Sequence, residues 1–176
     1  MNGAQLLKLF SELTGRAVAW AMLPMVLVTF VIVVLRYVFD VGWIWMQESV
    51  LWLHAAVFML AAAYTLNRNE HVRVDIFYRN LDPRRRALVD IAGTLLLLLP
   101  MMSFLIISSF DYVQVSWSIH EGSREAGGLT FPAVPLLKSM IPITASLLIL
   151  QGVANLLTDL ATLMSGGRNA DGAAEG

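Results

Sequence analysis

The stretch from Asn67 to Arg86, NRNEHVRVDIFYRNLDPRRR, decides how the rest of the chain is organised. It lies between two pairs of long apolar runs. It also holds half of the 12 Lys and Arg residues: Arg68, Arg73, Arg79, Arg84, Arg85 and Arg86. Short Arg-rich loops between membrane spans stay in the cytoplasm because they resist translocation during insertion. The stretch therefore predicts a multi-pass membrane protein whose central loop is cytoplasmic.

The same stretch has a helical pattern. Val74, Phe77, Tyr78 and Leu81 fall at positions i, i+3, i+4 and i+7, which places them on one face of a helix. Arg79 lies off that face. The pattern predicts an amphipathic helix on the cytoplasmic side, lying in the membrane interface with its apolar face towards the lipid.

The composition also indicates a membrane protein. Of the 176 residues, 57% are hydrophobic and 14% are charged, and the mean hydropathy is +0.68. Soluble domains have about 25% charged residues. A net charge of −1 argues against a nucleic-acid partner, and the lack of Cys excludes disulfides and thiolate metal sites. The expected fold class is an all-α membrane protein.

The apolar runs predict four transmembrane helices at about residues 17–38, 48–66, 88–112 and 134–158, because about 20 apolar residues cross the bilayer. Residues 1–16 carry Leu6, Leu9, Phe10 and Leu13 on one face and predict an interfacial helix rather than a signal peptide. Asp82 and Pro83 predict the N-cap and first turn of the third span. Residues 1–164 would form one domain, and the small, polar residues 165–176 a disordered cytoplasmic tail.

The basic residues give the orientation. Three of the 12, Arg36, Arg124 and Lys138, fall on the side opposite the central stretch, and the others fall on its own side. Both termini are therefore expected in the cytoplasm.

Several candidate contact residues cluster between the first two spans. Arg36 and Asp40 lie near Glu48, which is expected at the start of the second span, where the helix dipole favours an anion. Capping with snorkelling and an inter-subunit contact both remain open for this group. Trp43 and Trp45 suit the headgroup level and would anchor the chain to membrane lipid.

His54 is the only histidine within a predicted span. A bis-histidine haem site would need a second buried histidine, whereas His71 and His120 lie in loops on opposite sides, so a packing or hydrogen-bonding role is favoured. No span carries a charged residue at its centre, and no cofactor, metal or catalytic motif is present. The chain is therefore expected to be neither an enzyme nor a transporter on its own.

Three groups of residues resemble one family. They are Arg36-Tyr37-Val38-Phe39, Trp45-Met46-Gln47-Glu48 and His71-Val72-Arg73-Val74-Asp75. Their order resembles the small membrane subunit of tripartite ATP-independent periplasmic (TRAP) transporters. A later series resembles the mannitol/chloroaromatic branch: Glu121-Gly122-Ser123, Gly127-Gly128-Leu129, Pro135, Lys138 and Leu150-Gln151-Gly152. The family often has two acids after its Trp, and here the first is Gln47.

The resemblance implies an accessory subunit of the bacterial inner membrane. It would scaffold a large multi-span permease that takes up an organic anion along an ion gradient, after a periplasmic solute-binding protein delivers it. The expected subunit-interface or anchor residues are Arg36, Trp43, Trp45, Glu48, His71, Asp75, Phe77, Gly127 and Gly128, with no cofactor. The competing hypothesis is a membrane-anchor subunit of a respiratory oxidoreductase, which only His54 favours.

Overall fold

The computed structural model describes residues 20–67, 78 and 81–171. These residues form helices and connecting segments, without a β-strand in the ranges given. The helices are α1 (Met22–Val38), α2 (Ile44–Asn67), α3 (Pro83–Gly93), a π-helical segment (Thr94–Leu98), α4 (Leu99–Ser118) and α5 (Ala133–Asp171). The all-helical prediction is confirmed for this part of the chain.

The start of α3 follows from its sequence. The Asp82 side chain accepts a hydrogen bond from the Arg85 backbone N–H at 3.0 Å, and Pro83 occupies the first turn. This N-cap satisfies one of the N–H groups that a helix start leaves free. The predicted Asp82-Pro83 start is confirmed.

The π-helical segment joins α3 and α4 into one continuous rod. It ends just before Pro100, which lies in the first turn of α4. Proline lacks an N–H, and its ring clashes with the carbonyl four residues earlier, here Leu96. A wider π turn at this point accommodates that ring without ending the helix.

Helix α5 is the centre of the packing. It packs against α2 on one side and against the α3–α4 rod on the other, whereas α1 packs mainly against α2. Among the described residues, the buried hydrophobic side chains are those of small residues, such as Ala56, Ala87, Ala145 and Ala154. Small side chains let helices approach closely, so the molecule is a row of helices with broad apolar outer faces rather than a closed bundle.

In the part of the chain that the structure describes, three helices are long and apolar enough to cross a membrane: Ile44–Ala62, Arg84–Ser118 and Ala133–Met164. Helix α1 is shorter and also apolar. A row of helices with so much exposed apolar surface would not be stable in water, so the chain is an integral membrane protein. The helices extend past several predicted span ends: α4 runs to Ser118, and α5 continues to Asp171, within the segment predicted to be disordered.

Two predicted interfacial helices lie wholly or largely outside the described residues. They are the N-terminal helix over residues 1–16 and the amphipathic helix of the central stretch, which includes His71, Asp75 and Phe77. Tyr78 is described, and its hydroxyl donates a hydrogen bond to the Asp90 carboxylate on α3. The Arg86 guanidinium lies 5.6 Å from the centre of the Tyr78 ring. The polar end of Tyr78 therefore contacts the start of the rod.

Candidate functional site

The candidate site lies where α2 begins and the α4–α5 loop (residues 119–132) folds back onto it. Glu48, on α2, accepts a hydrogen bond from the Leu129 backbone N–H at 2.7 Å. Its other carboxylate oxygen accepts a hydrogen bond from the Ser123 hydroxyl. We call Glu48, Ser123, Gly128 and Leu129 the Glu48 cluster. It fixes the loop to α2.

Backbone hydrogen bonds shape the loop around this carboxylate. Ser123 N–H donates to the Leu129 carbonyl at 2.8 Å, and Gly128 N–H donates to the Glu125 carbonyl at 3.0 Å. Trp45 N–H, in the first turn of α2, donates to the Gly127 carbonyl at 3.1 Å. The loop therefore satisfies a free N–H of the α2 start, while α2 supplies the acceptor for a free N–H of the loop.

The two loop glycines are required by this geometry. Gly127 has φ +79°, which an L side chain rarely adopts. A Cβ at Gly128 would lie 2.7 Å from Glu48 Oε2 and 2.6 Å from Ser123 Cβ. Glycine at 128 thus lets the carboxylate reach the loop backbone.

Sequence and structure differ on the partner of Glu48. The sequence places Glu48 beside Arg36 at the helix start, but α2 begins at Ile44 and has no acid in its first turn. Among the described residues, the ion pairs are Lys138–Glu121 and Arg85–Asp82, and none joins Glu48 to Arg36. Arg36 is exposed in the last turn of α1. Glu48 therefore neither caps α2 nor pairs with Arg36 within this chain.

A second carboxylate holds the other end of the loop. Glu121 accepts hydrogen bonds from the Lys138 ammonium at 2.5 Å and from the Ser116 hydroxyl at 2.6 Å. Lys138 Nζ also lies 3.9 Å from the centre of the Tyr112 ring. We call Tyr112, Ser116, Glu121 and Lys138 the Glu121 cluster. It connects the end of α4 to the first turns of α5.

The Glu121 cluster has a clear electrostatic signature. The hydrogen bond from Lys138, followed by the one from Ser116, lowers the pKa of the Glu121 carboxyl below its ordinary value of 4.5, although some desolvation acts in the opposite direction. The two side chains are 17% and 15% exposed. Because both side chains are largely shielded from solvent, this ion pair is screened less than a pair on an open surface.

Aromatic residues make further contacts at this end of the molecule. Trp43 and Trp45 stack with their ring centres 6.3 Å apart, and both are partly exposed. Trp52 Nε1–H donates to the Ala133 carbonyl at 2.9 Å, and Trp117 Nε1–H donates to Ser139 Oγ at 3.0 Å. These bonds fasten the start of α5 to α2 and α4.

The structure thus brings four predicted residues together, Trp45, Glu48, Gly127 and Gly128, with Trp43 stacked beside them. Ser123, Leu129, Glu121 and Lys138 are essential to the same arrangement but were not predicted as site residues. All four belong to the series that resembles the mannitol/chloroaromatic branch, and that resemblance assigned them no contacts.

The candidate metal-binding side chains are dispersed among the described residues. No group of three or more His, Asp and Glu residues able to hold a metal occurs among them. His54 lies in the middle of α2, whereas His120 packs in the loop with its ring centre 4.7 Å from that of Phe131. These two histidines belong to different parts of the fold.

Residues 25–162, more than half of the chain, match the family model described as tripartite ATP-independent periplasmic transporters, DctQ component. The chain belongs to the DctQ family. The match includes both carboxylate clusters and nearly all of the described helices. A comparison with curated proteins gives no match.

Membership of the DctQ family sets the class of function. The family is one of transporter components, not of enzymes. Its members work with a large permease and a periplasmic binding protein. The chain is therefore the small permease component of a TRAP transporter, and the respiratory-anchor hypothesis has no support.

Proposed function

We propose that this DctQ-family chain is an accessory scaffold that holds a large permease subunit in the inner membrane and carries no solute itself. The permease would move an organic anion, delivered by the periplasmic binding protein, along an ion gradient. The observation that carries the proposal is the family match over residues 25–162.

The distribution of charge supports a scaffold. Charged residues lie near the helix ends, for instance Glu48 on α2, Asp90 and Asp111 on the rod, and Lys138 and Asp159 on α5. The runs between these residues carry no charged side chain. Carriers of charged solutes usually keep Asp, Glu, Lys or Arg side chains near the membrane midplane.

The shape of the molecule supports the same role. A row of helices has two broad faces, and here many large apolar side chains are exposed on them, such as Leu27, Phe58, Leu96 and Ile107. Such faces can contact both lipid and a partner's helices. The two carboxylate clusters stiffen one end of the row, which suits a subunit that stays fixed beside a moving one.

The basic residues support the orientation. The central stretch and both termini would face the cytoplasm, and the α4–α5 loop with both clusters would face the periplasm. Trp43 and Trp45 would lie at the periplasmic headgroup level.

Reconstitution into vesicles tests the proposed function. The lone chain should give no solute uptake under a sodium or proton gradient, whereas the chain with its permease and binding protein should give uptake. Vesicles that hold the permease and binding protein without this chain are the matched control and should give little. Robust uptake by the lone chain would overturn the scaffold role.

A further inference from the structure

One face of α2 carries a polar side chain without a hydrogen-bond partner among the described residues. His54 is exposed, and Leu51 and Phe58 on the same face are 67% and 74% exposed. These three residues lie at i, i+3 and i+7, so they form one stripe along the helix. We call them the His54 face. Within the described residues, no hydrogen bond or ion pair involves the His54 ring.

The position of His54 along α2 places it deep in the membrane. Trp45 lies at the start of α2, where tryptophan marks the headgroup level. At about 1.5 Å per residue, His54 lies about 14 Å further along the helix. The hydrocarbon layer is about 30 Å thick, so the imidazole is near its middle.

A neutral imidazole has one N–H donor and one ring-nitrogen acceptor. Lipid tails satisfy neither, and ionisable residues at this depth almost always face protein. The other two sides of α2 are already packed, against α1 and against α5. The described residues leave the His54 face without such a partner, which favours a protein surface beyond them.

We propose that the His54 face docks against a transmembrane helix of the large permease, which offers a hydroxyl or amide side chain to the imidazole. This inference rests on the proposed function and deepens it by naming the contact surface. Leu51 and Phe58 would supply the apolar packing on either side of the hydrogen bond.

A second copy of this chain fits the face less well. In a twofold pair, two His54 rings could share one N–H···N hydrogen bond, leaving one donor and one acceptor unpaired in hydrocarbon. The two ring nitrogens of an imidazole point away from each other, so pairing both takes two groups, an acceptor for the N–H and a donor for the bare nitrogen. A different helix can carry both groups, whereas an identical face offers only another imidazole with Leu51 and Phe58 beside it. The chemistry of the face therefore favours a different partner.

Photo-crosslinking in membranes tests the contact directly. A benzophenone amino acid is placed at Leu51, at Phe58 or, as a control, at Ile107, which is 75% exposed on α4 beyond α5. We expect adducts with the mass of chain plus permease from positions 51 and 58. Adducts with the mass of two chains, or with lipid alone, at both α2 positions would overturn the inference.

Co-purification of the wild-type chain with the permease is scored before irradiation. Failure of the wild type to co-purify would count against the proposed function. Co-purification without permease adducts at positions 51 and 58 would overturn the His54 face alone. The two failures are thus distinguishable.

Substitution of His54 provides a second readout. His54→Leu should lower permease recovery about threefold to tenfold, as expected for loss of one hydrogen bond between membrane helices. His54→Gln should restore most of it because the amide can donate and accept. Thr29→Val is the control. The exposed Thr29 hydroxyl already donates to the Met25 backbone carbonyl of the same helix at 2.7 Å, so it needs no partner from another chain.

The unfolding temperature of the isolated chain completes the test. It should be the same for wild type and His54→Leu, because His54 has no partner within the described chain. A drop in that temperature large enough to account for the lost recovery would assign His54 to the fold of this subunit and overturn the docking role.

Discussion

The Glu48 carboxylate accepts the Leu129 N–H at 2.7 Å, across 81 positions of sequence. This bond joins the start of α2 to the loop that leads into α5. Because α5 is the centre of the helix row, the contact determines how the loop end of the row is held. Its strength can be measured by substitutions that keep or remove the acceptor.

Glu48→Ala should destabilise the chain by about 1–3 kcal/mol, because it leaves the Leu129 N–H without its acceptor. Glu48→Gln should cost much less. Its amide oxygen can accept from Leu129, while its NH₂ group donates to Ser123 Oγ, whose hydroxyl can reverse its role. The measurement is the unfolding temperature of the purified chain in detergent. Equal losses in the two variants would show that the negative charge matters more than the acceptor.

Gly128→Ala should loosen the loop, because the new Cβ would lie 2.7 Å from Glu48 Oε2. Gly122→Ala in the same loop is the matched control, since its Cβ would have ordinary contacts, the nearest at 3.7 Å from the Leu129 carbonyl. Limited proteolysis after Arg124 reports on the loop. We expect faster cleavage for Gly128→Ala than for Gly122→Ala, and similar rates in both would contradict the steric argument.

The helices and several of their ends could be predicted from the sequence because their causes are local. Apolar runs of sufficient length give membrane helices, and Asp82 with Pro83 gives a helix start. The family resemblance also depended on short local groups of residues, and the family match confirms it at the level of the TRAP small subunit. The mannitol/chloroaromatic branch remains a prediction.

The contacts of the two clusters could not be predicted in the same way. Glu48 bonds to a backbone N–H and a hydroxyl far away in sequence, and neither group leaves a pattern that distinguishes it from other loop residues. Charge alone pointed to the nearby Arg36. The actual pairing depends on how α2 and α5 pack, which places the loop within reach of Glu48.

The Glu121 cluster predicts a dependence on pH. The pKa of Glu121 is lowered in the folded chain by Lys138 and Ser116. A lowered carboxyl pKa stabilises the fold above the unfolded value, near 4.5, and this contribution is lost as pH falls through the lower folded value. Glu121→Gln should therefore reduce the difference in unfolding temperature between pH 6 and pH 3. These two pH values lie on either side of the ordinary Glu pKa, which is about 4.3–4.5. An unchanged difference would mean that other carboxyls govern the acid response.

The orientation predicts a labelling pattern. Single cysteines at Asn69 and Ala170 should be protected from an impermeant thiol reagent in intact cells, whereas cysteines at Gly42 and Glu125 should react. Glu125 is preferable to the neighbouring Gly127, whose φ of +79° a cysteine would strain. Permeabilised cells provide the control, in which all four should react. Labelling at Asn69 without labelling at Glu125 would reverse the orientation.

Gly152 predicts how tightly α5 packs against the rod. A Cβ there would lie 2.8 Å from Leu98 Cδ2 and 3.5 Å from Thr94 Cγ2, both in the π-helical segment. Gly152→Ala should cost little, because the end of the Leu98 side chain can shift. Gly152→Leu should destabilise the chain by about 1–3 kcal/mol, since the added atoms overfill the contact.

The matched control for Gly152 is Gly93, also helical, where a Cβ would meet nothing within 4 Å. Gly93→Leu should therefore leave the unfolding temperature unchanged or raise it slightly, because glycine in a helix costs about 0.5–1 kcal/mol relative to alanine. Adding Leu98→Ala to Gly152→Leu should recover part of the lost stability, because it removes the side chain that the new leucine meets. If the double variant were no more stable than Gly152→Leu alone, the contact between α5 and the π-helical segment would not be what limits the size of residue 152.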